Sequence, residues 1–119
     1  MSLLDLHQSL YSALTGDVSL MGSCKGVYDV PPVDAASPYV VVGDTHAVEG
    51  RLLDNSEDKV FVRLHIWSDY KGRKEILEAA ALVRAALPEA LLFEDLEVLR
   101  DADEPQWWHG IMTLRTYDR

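Results

Sequence analysis

Four histidines are the side chains in this sequence best suited to proton transfer or metal binding near neutral pH. His65 lies in a predicted strand, and no serine, cysteine or carboxylate stands at a spacing that would let it act as a general base there. His7, His46 and His109 fall in a predicted helix and two predicted strands, without the i, i+4 or alternate-strand spacing of metal ligands. We therefore predict no catalytic residue, no metal and no cofactor, and we predict that His65 is partly buried or lies in an interface.

Acidic side chains gather on both sides of a predicted strand near the C-terminus. Those before it or at its start are Glu94, Asp95 and Glu97, and those after it are Asp101, Asp103 and Glu104. Two carboxylates act as acid and base in glycoside hydrolysis only where a cleft raises the pKa of one of them. No pattern in the sequence indicates such a cleft, so we predict solvated loop charges.

Cys24 lies between Gly22 and Gly26 in a predicted loop. These glycines do not match a phosphate-binding loop, because no strand of convincing length precedes them and no Gly-Lys-Ser/Thr sequence follows. A single cysteine cannot form an internal disulfide, which fits a reducing compartment, and it excludes zinc sites built from several cysteines.

Length and composition indicate one globular domain over residues 1–119. The 119 residues are 48% apolar and 26% charged, which suits a single modest core. The net charge of −9 argues against sequence-specific DNA binding, because an acidic surface repels phosphates. The N-terminus lacks the features of a signal peptide, and no apolar run approaches the roughly 20 residues that span a bilayer. We expect neither export by that route nor insertion into a membrane.

The hydrophobic pattern predicts two helices. The first begins at Ser2, its N-cap, shows leucines on one face and ends at Gly16; a loop is predicted from 15 to 26. The second carries its apolar stripe from Ile76 to Leu87, with Ser68 or Asp69 as the N-cap.

Strands are predicted at 27–30, from 39 to beyond 46, at 60–67, at 96–100 and at 107–117. The strands beginning at 39 and 60 form a long hairpin. Alternation in the strand 60–67 places valine, leucine and isoleucine on one face and Phe61, Arg63, His65 and Trp67 on the other. The order α-β-β-β-α-β-β with short connections predicts an α+β fold, with a mostly antiparallel sheet and helices packed on one face.

Trp107 and Trp108 are consecutive residues at the start of the last predicted strand. Successive strand residues face opposite sides, so at most one of the two indoles lies in the central core. The other marks either the boundary of the core or a contact with a partner, because tryptophan is enriched at binding anchors.

Several short motifs resemble the bacteriophage tail-completion, or tail-terminator, family, which also occurs in prophages and gene transfer agents. The matching residues are Val27-Tyr28-Asp29 with Pro31, Ser37-Pro38-Tyr39-Val40, His65-Ile66-Trp67-Ser68 with Tyr70, Gly72, Arg73, Lys74 and Glu75, and Val83-Arg84-Ala85-Ala86-Leu87. Their order and spacing span most of the chain. The family has no catalytic motif to transfer.

The resemblance implies a structural virion protein and not an enzyme. Members form a ring, usually a hexamer, at the head-proximal end of the tail tube, where they stop tube polymerisation and join the tail to the head. The implied partners are copies of the chain itself, the tail tube protein and a head–tail connector or neck protein. DNA would pass through the lumen without specific binding, and assembly would occur in the cytoplasm of the bacterial host, without a membrane.

Under this interpretation, the charged hairpin tip at 49–58 reaches a neighbouring subunit or the tube. The contact residues that we predict are Glu49, Arg51, Asp54, Asn55, Glu57, Asp58, Trp107 and Trp108. We also hypothesise that acidic residues such as those at 101–104 line the lumen, where like charge keeps DNA from sticking. The alternative is a small α+β ligand-binding or enzymatic domain that uses His65 and nearby aromatic residues.

Overall fold

Leucines that recur on one face of the N-terminal segment produce the first helix, α1 (Leu3–Thr15). The computed structural model describes residues 3–48 and 58–118, and in it Leu6, Leu10 and Leu14 are buried. The helix ends where predicted, with the Gly16 N–H donating to the Ser12 carbonyl at 2.9 Å. Of the helices in these residues, none has the length and apolar character needed to cross a bilayer.

The predicted loop from 15 to 26 was wrong, because it contains a second helix, α2 (Val18–Ser23). The Asp17 carboxylate caps it by accepting a hydrogen bond from the Leu20 N–H at 2.8 Å. Leu20 is fully buried in the core. The glycines and small polar residues of this segment suggested irregular structure, but one cap and one buried anchor are enough for a short helix.

Five strands form one sheet within the described ranges. They are β1 (Gly26–Tyr28), β2 (Tyr39–Val48), β3 (Asp58–Ser68), β4 (Leu92–Arg100) and β5 (Trp108–Asp118), arranged in the order β1-β2-β3-β5-β4. The pairings β2–β3, β3–β5 and β4–β5 are antiparallel, so the predicted α+β class and the hairpin of β2 and β3 are confirmed. Short β1 pairs parallel to β2.

Strand β4 begins four residues earlier than predicted, at Leu92. Glu94 and Asp95 therefore belong to a strand and not to a loop, which corrects the prediction for these two carboxylates. The acidic turn that follows is exposed, as expected: Asp103 and Glu104 are both at the surface.

One face of the sheet, which we call the inner face, is covered by the helices. Val62, Leu64 and Ile66 of β3 and Met112 and Leu114 of β5 are fully buried there. The third helix, α3 (Lys74–Ala86), packs over β3 and β5 through Ile76, Ala79, Ala80 and Val83. Among the residues that the structure describes, the helices cover one face of the sheet only, as predicted, and no helix lies on the second face.

The start of α3 corrects the predicted cap at Ser68 or Asp69. Ser68 is the last residue of β3, its side chain is fully buried, and α3 begins six residues later with no side-chain cap. The Ser68 hydroxyl instead donates to the Glu75 carboxylate at 2.7 Å, and the Ser37 hydroxyl donates to the same oxygen at 2.8 Å. This serine–glutamate cluster (Ser37, Ser68, Glu75) ties the approach to β2, the end of β3 and the first turn of α3 together.

The cluster lies close to Cys24, whose side chain is buried. Burial, and then the charge of Glu75, raises the pKa of the Cys24 thiol from 9.0 to about 11. The thiol is therefore protonated at neutral pH and is a poor nucleophile.

Candidate interaction surface

The outer face of the sheet is built from the alternate residues of four strands and carries no helix in the described part of the chain. The β3–β5 register places Trp67 beside His109, and His65 beside Ile111. On β2, Tyr39 pairs with Trp67. All of these side chains are half-buried. The outer face therefore mixes aromatic, imidazole and charged groups, whereas the inner face is mainly apolar.

Four rings at one end of the outer face form an aromatic row, which we define as Tyr39, Trp107, Trp67 and His109. The Trp107 ring makes edge contacts with the rings of Tyr39 and Trp67, with centroids 5.9 and 6.4 Å apart. The Trp67 indole stacks on the His109 imidazole at 3.9 Å, with 9° between the planes. Edge and stacked contacts of this kind stabilise the position of each ring and leave part of the ring surface exposed to solvent.

The row continues into a polar chain that ends on β2. His65 Nδ1 and His109 Nε2 are 2.8 Å apart, and His65 Nε2 lies 3.5 Å from Asp44 Oδ1. Asp44 Oδ2 in turn accepts from the Arg63 guanidinium at 3.1 Å. Each of the two imidazoles thus has a polar partner on a neighbouring strand.

Charges and burial perturb two groups of this chain. Burial, followed by the charge of His65, lowers the pKa of His109, although Asp101 opposes the shift. A hydrogen bond from its own backbone, together with His65 and Arg63, lowers the pKa of Asp44. The neutral imidazole of His109 and the ionised carboxylate of Asp44 are therefore the favoured forms at neutral pH.

A bulge in β2 leaves room for the His65 ring. The β2–β3 register shifts between Val42 and Thr45, and Gly43 lies within this irregularity. A Cβ atom at Gly43 would stand 2.4 Å from Cδ2 of His65 and 2.8 Å from the carbonyl oxygen of Arg63. Glycine is required because the imidazole packs directly against the backbone at this point.

A depression of about 370 Å³ lies on the outer face beside the polar chain. It is lined by Arg63, His65, Asp95, Glu97, Ile111 and Thr113. No group of three or more potential metal ligands occurs among residues 3–48 and 58–118. Stacking and hydrogen bonding hold both imidazoles in fixed positions on the outer face.

Comparison of the sequence with models of known protein families identifies the family of this chain. The sequence profile of the family "Tail completion protein gp17" matches residues 8–117. The chain belongs to this family. The match includes every element that builds the outer face, and it confirms the resemblance to tail-completion proteins on which the sequence-based function rests.

Two solved structures are similar to this chain. A chain from the virion of a native gene transfer agent particle has a TM-score of 0.75 at 22% identity, covering 94% of this chain and 92% of that chain. The gp17 protein of bacteriophage SPP1 has a TM-score of 0.64 at 23% identity, covering 96% and 88%. No curated protein sequence matches. At such identities the likeness shows a shared fold.

The predicted contact residues fall in two groups, one in the hairpin tip at 49–58 and one formed by Trp107 and Trp108. Glu49, Arg51, Asp54, Asn55 and Glu57 lie outside the described residues, and of Asp58 only the backbone, at the start of β3, is described.

The two tryptophans face opposite sides of the sheet, as predicted. Trp107 is half-buried in the aromatic row, whereas Trp108 is 5% exposed on the inner face, beneath the guanidinium groups of Arg73 and Arg100. Trp107 therefore remains the indole available for a partner contact, and that contact stays a prediction.

Sequence reasoning placed His65 correctly as a half-buried side chain but missed the partners that hold it. His109 is 44 positions away in sequence, and Asp44 is 21 positions away. Neither spacing follows a helical or strand period. Only the register of β5 against β3, and the bulge in β2, bring these groups together.

Proposed function

We propose that the protein forms a hexameric ring at the head-proximal end of a phage-like tail tube. The ring ends tube polymerisation and presents the surface that joins the tail to the head. The observation that carries this proposal is the tail-completion family match over residues 8–117. The single domain of this chain acts by geometry, without making or breaking a bond.

A ring of identical subunits explains how such a protein stops a polymer. Head-to-tail contacts close only when the rotation per subunit closes, and the closed ring has two unlike faces. One face matches the rim of the tube protein, and the other matches a connector or neck protein and cannot be extended by further tube subunits. The open outer face of the sheet provides protein-contact chemistry of the kind that such assembly needs, because aromatic rings beside charged groups are typical of binding anchors.

Two parts of the chain are assigned to particular contacts in this proposal. The hairpin tip at 49–58 reaches a neighbouring subunit or the tube, and deletion of residues 51–57 is expected to abolish tail assembly. Unchanged oligomerisation and assembly would remove this assignment.

The exposed acidic turn at 101–104 faces the lumen, where negative charge keeps passing DNA from adhering. Replacing its acidic residues by amides should slow DNA delivery, and normal delivery would count against the turn.

The ring itself is tested by adding purified protein to tail tubes. Negative-stain images should show rings or a plug at one tube end, and tubes treated before elongation should grow no further from that end. Tubes that elongate normally, with no density at either end, would contradict the proposal. The chain is expected to enter the particle in the host cytoplasm and to remain there as a virion component.

The competing candidate is ligand binding at the depression beside His65, where the Asp44–His65–His109 chain is the specific observation in its favour. A small ligand bound there would raise the melting temperature of the isolated protein in proportion to the logarithm of its concentration. Turnover of a substrate that depends on His65 would favour this candidate over the ring.

A further inference from the structure

Three arginines lie between α3 and the edge strand β4, each over an aromatic ring. The guanidinium of Arg84 stands 3.9 Å from the centre of the Phe93 ring, and those of Arg73 and Arg100 stand 4.5 and 4.9 Å from the centre of a Trp108 ring. None of the three forms an ion pair with any residue in 3–48 or 58–118. This is unexpected in a chain with 20 acidic and 11 basic residues.

Two other arginines show that the chain can pair such groups when it folds. Arg63 contacts Asp44 at 3.1 Å, and Arg115 contacts Glu94 at 3.4 Å. A guanidinium that stacks on an aromatic ring keeps its N–H edge directed away from the ring, in the plane that binds a carboxylate with two hydrogen bonds. The three stacked arginines are therefore suited to carboxylates other than those of residues 3–48 and 58–118 in the same subunit.

The surface between these arginines is apolar. Arg73, Leu77 and Arg84 lie along one stripe of α3, and Leu77 is 47% exposed. Because α3 packs over β3 and β5, the inner-face side chains Leu96 and Val98 of β4 are only half-buried. We call this surface the arginine shelf and define it as Arg73, Leu77, Arg84 and Arg100.

A segment elsewhere in the chain has the complementary pattern. Residues 29–34, between β1 and β2, read Asp-Val-Pro-Pro-Val-Asp, and we call them the acidic loop. Val30 is 82% exposed and Val33 is 109% exposed, so both project into solvent. Asp29 and Asp34 are exposed and form no ion pair with residues that the structure describes. The acidic loop therefore has a carboxylate on each side of its exposed valines, and this pattern is complementary in charge to the arginine shelf, which has an arginine on each side of Leu77.

The two surfaces are formed by different elements of the subunit. The acidic loop connects β1 to β2 and includes a turn in which the Ala35 N–H donates to the Pro32 carbonyl at 3.1 Å. The shelf is formed by α3 and the end of β4. A head-to-tail contact needs two different surfaces of this kind on each subunit.

We infer that the acidic loop of one copy docks on the arginine shelf of the next copy, with Val30 and Val33 against Leu77 and the carboxylates on the guanidinium groups. This inference rests on the proposed ring and assigns its subunit contact. Both surfaces are needed once per subunit, so the contact repeats around the ring.

Cysteine cross-linking tests the contact directly. A chain with Val33→Cys and Leu77→Cys, oxidised at high protein concentration, should give a ladder of covalent dimers, trimers and higher multimers. Either single substitution should give dimers at most, because one cysteine per chain cannot extend a series. Cys24 is buried and is kept in every variant. Absence of the ladder, or a yield of covalent dimers from a single-cysteine chain as high as the total yield of multimers from the double variant, would overturn the inference.

Charge reversal provides the matched control. Asp29→Arg with Asp34→Arg, or Arg73→Glu with Arg84→Glu, should each weaken the ladder about tenfold or more, because like charges then face one another. A chain that carries all four reversals should recover it, and so should an equal mixture of the two double variants. An unchanged yield of covalent multimers in these variants would overturn the inference.

Binding to tube ends separates this contact from the proposed function. Normal rings on tube ends from either double variant would leave the proposed function intact and reject only this contact, whereas native protein that never binds tube ends would reject the function.

Discussion

The two faces of the sheet use the same strands for opposite purposes. On β3, Leu64 is fully buried beneath the helices, while its neighbour His65 on the outer face remains half-buried. On the inner face, apolar side chains contact one another. On the outer face, aromatic rings and charged groups contact their neighbours but remain partly exposed to solvent. The inner face therefore contributes most of the folding stability, and the outer face keeps exposed groups that can bind a partner.

The largest effect should come from the inner face. Leu64→Ala removes a fully buried side chain and is expected to lower the free energy of unfolding by about 2–5 kcal/mol. Arg63→Ala, one residue away on the outer face, should change it by no more than about 1 kcal/mol, because its ion pair with Asp44 is exposed. Urea denaturation measures both. Equal losses would break the distinction between the faces.

The serine–glutamate cluster sharpens the comparison at the end of β3. Ser68→Ala removes one of the two hydroxyls that donate to the Glu75 carboxylate and also removes the acceptor of the Tyr70 N–H, and we expect a loss of about 1–3 kcal/mol. Ser23→Ala, at an exposed site in α2, should fall within about 0.5 kcal/mol of the native chain. A Ser68 variant as stable as the Ser23 variant would show that the cluster contributes no net stability.

Trp107 should separate folding from binding. Trp107→Ala removes ring contacts with Tyr39 and Trp67 and should cost about 1–2 kcal/mol of stability, yet reduce binding to tube ends at least about tenfold. Leu64→Val, on the inner face, should cause a comparable stability loss and leave tube binding unchanged. If both variants lose binding equally, the effect comes from destabilisation and not from the outer face.

The smallest expected effect is a pH dependence carried by His109. Its folded-state pKa lies below the ordinary value of 6.5, so the unfolded chain binds more protons between the two values. The corresponding stability is complete above pH 6.5 and is lost as the pH falls from there through the folded-state pKa. His109→Gln should reduce the stability difference between pH 7.5 and pH 5.5. Identical pH profiles for native and His109 variants would contradict the assignment.

Local pattern was sufficient to predict much of the fold. Leucine spacing gave α1, alternation gave the two faces of β3, and an alanine-rich stripe gave α3, because each depends on neighbours within a few residues. The cap of α2 was also readable, since Asp17 stands three positions before Leu20, but the surrounding glycines obscured it.

Features that depend on register were not predictable. The Ser37–Glu75 and His65–His109 contacts join residues 38 and 44 positions apart, and each requires a particular strand pairing. Ser68 has the composition of a helix cap, yet tertiary contacts direct its hydroxyl to Glu75 instead. The candidate surface was therefore located by single residues, His65 and Trp107, while its organisation came only from the structure.

We propose that this member of the tail completion family ends the tail tube and joins it to the head. Electron microscopy of particles from which only this chain has been deleted tests it most directly. We predict tails of irregular length and heads without tails, with both defects corrected when the chain is supplied again. Heads joined to tails of normal length in the deletion particles would contradict the account.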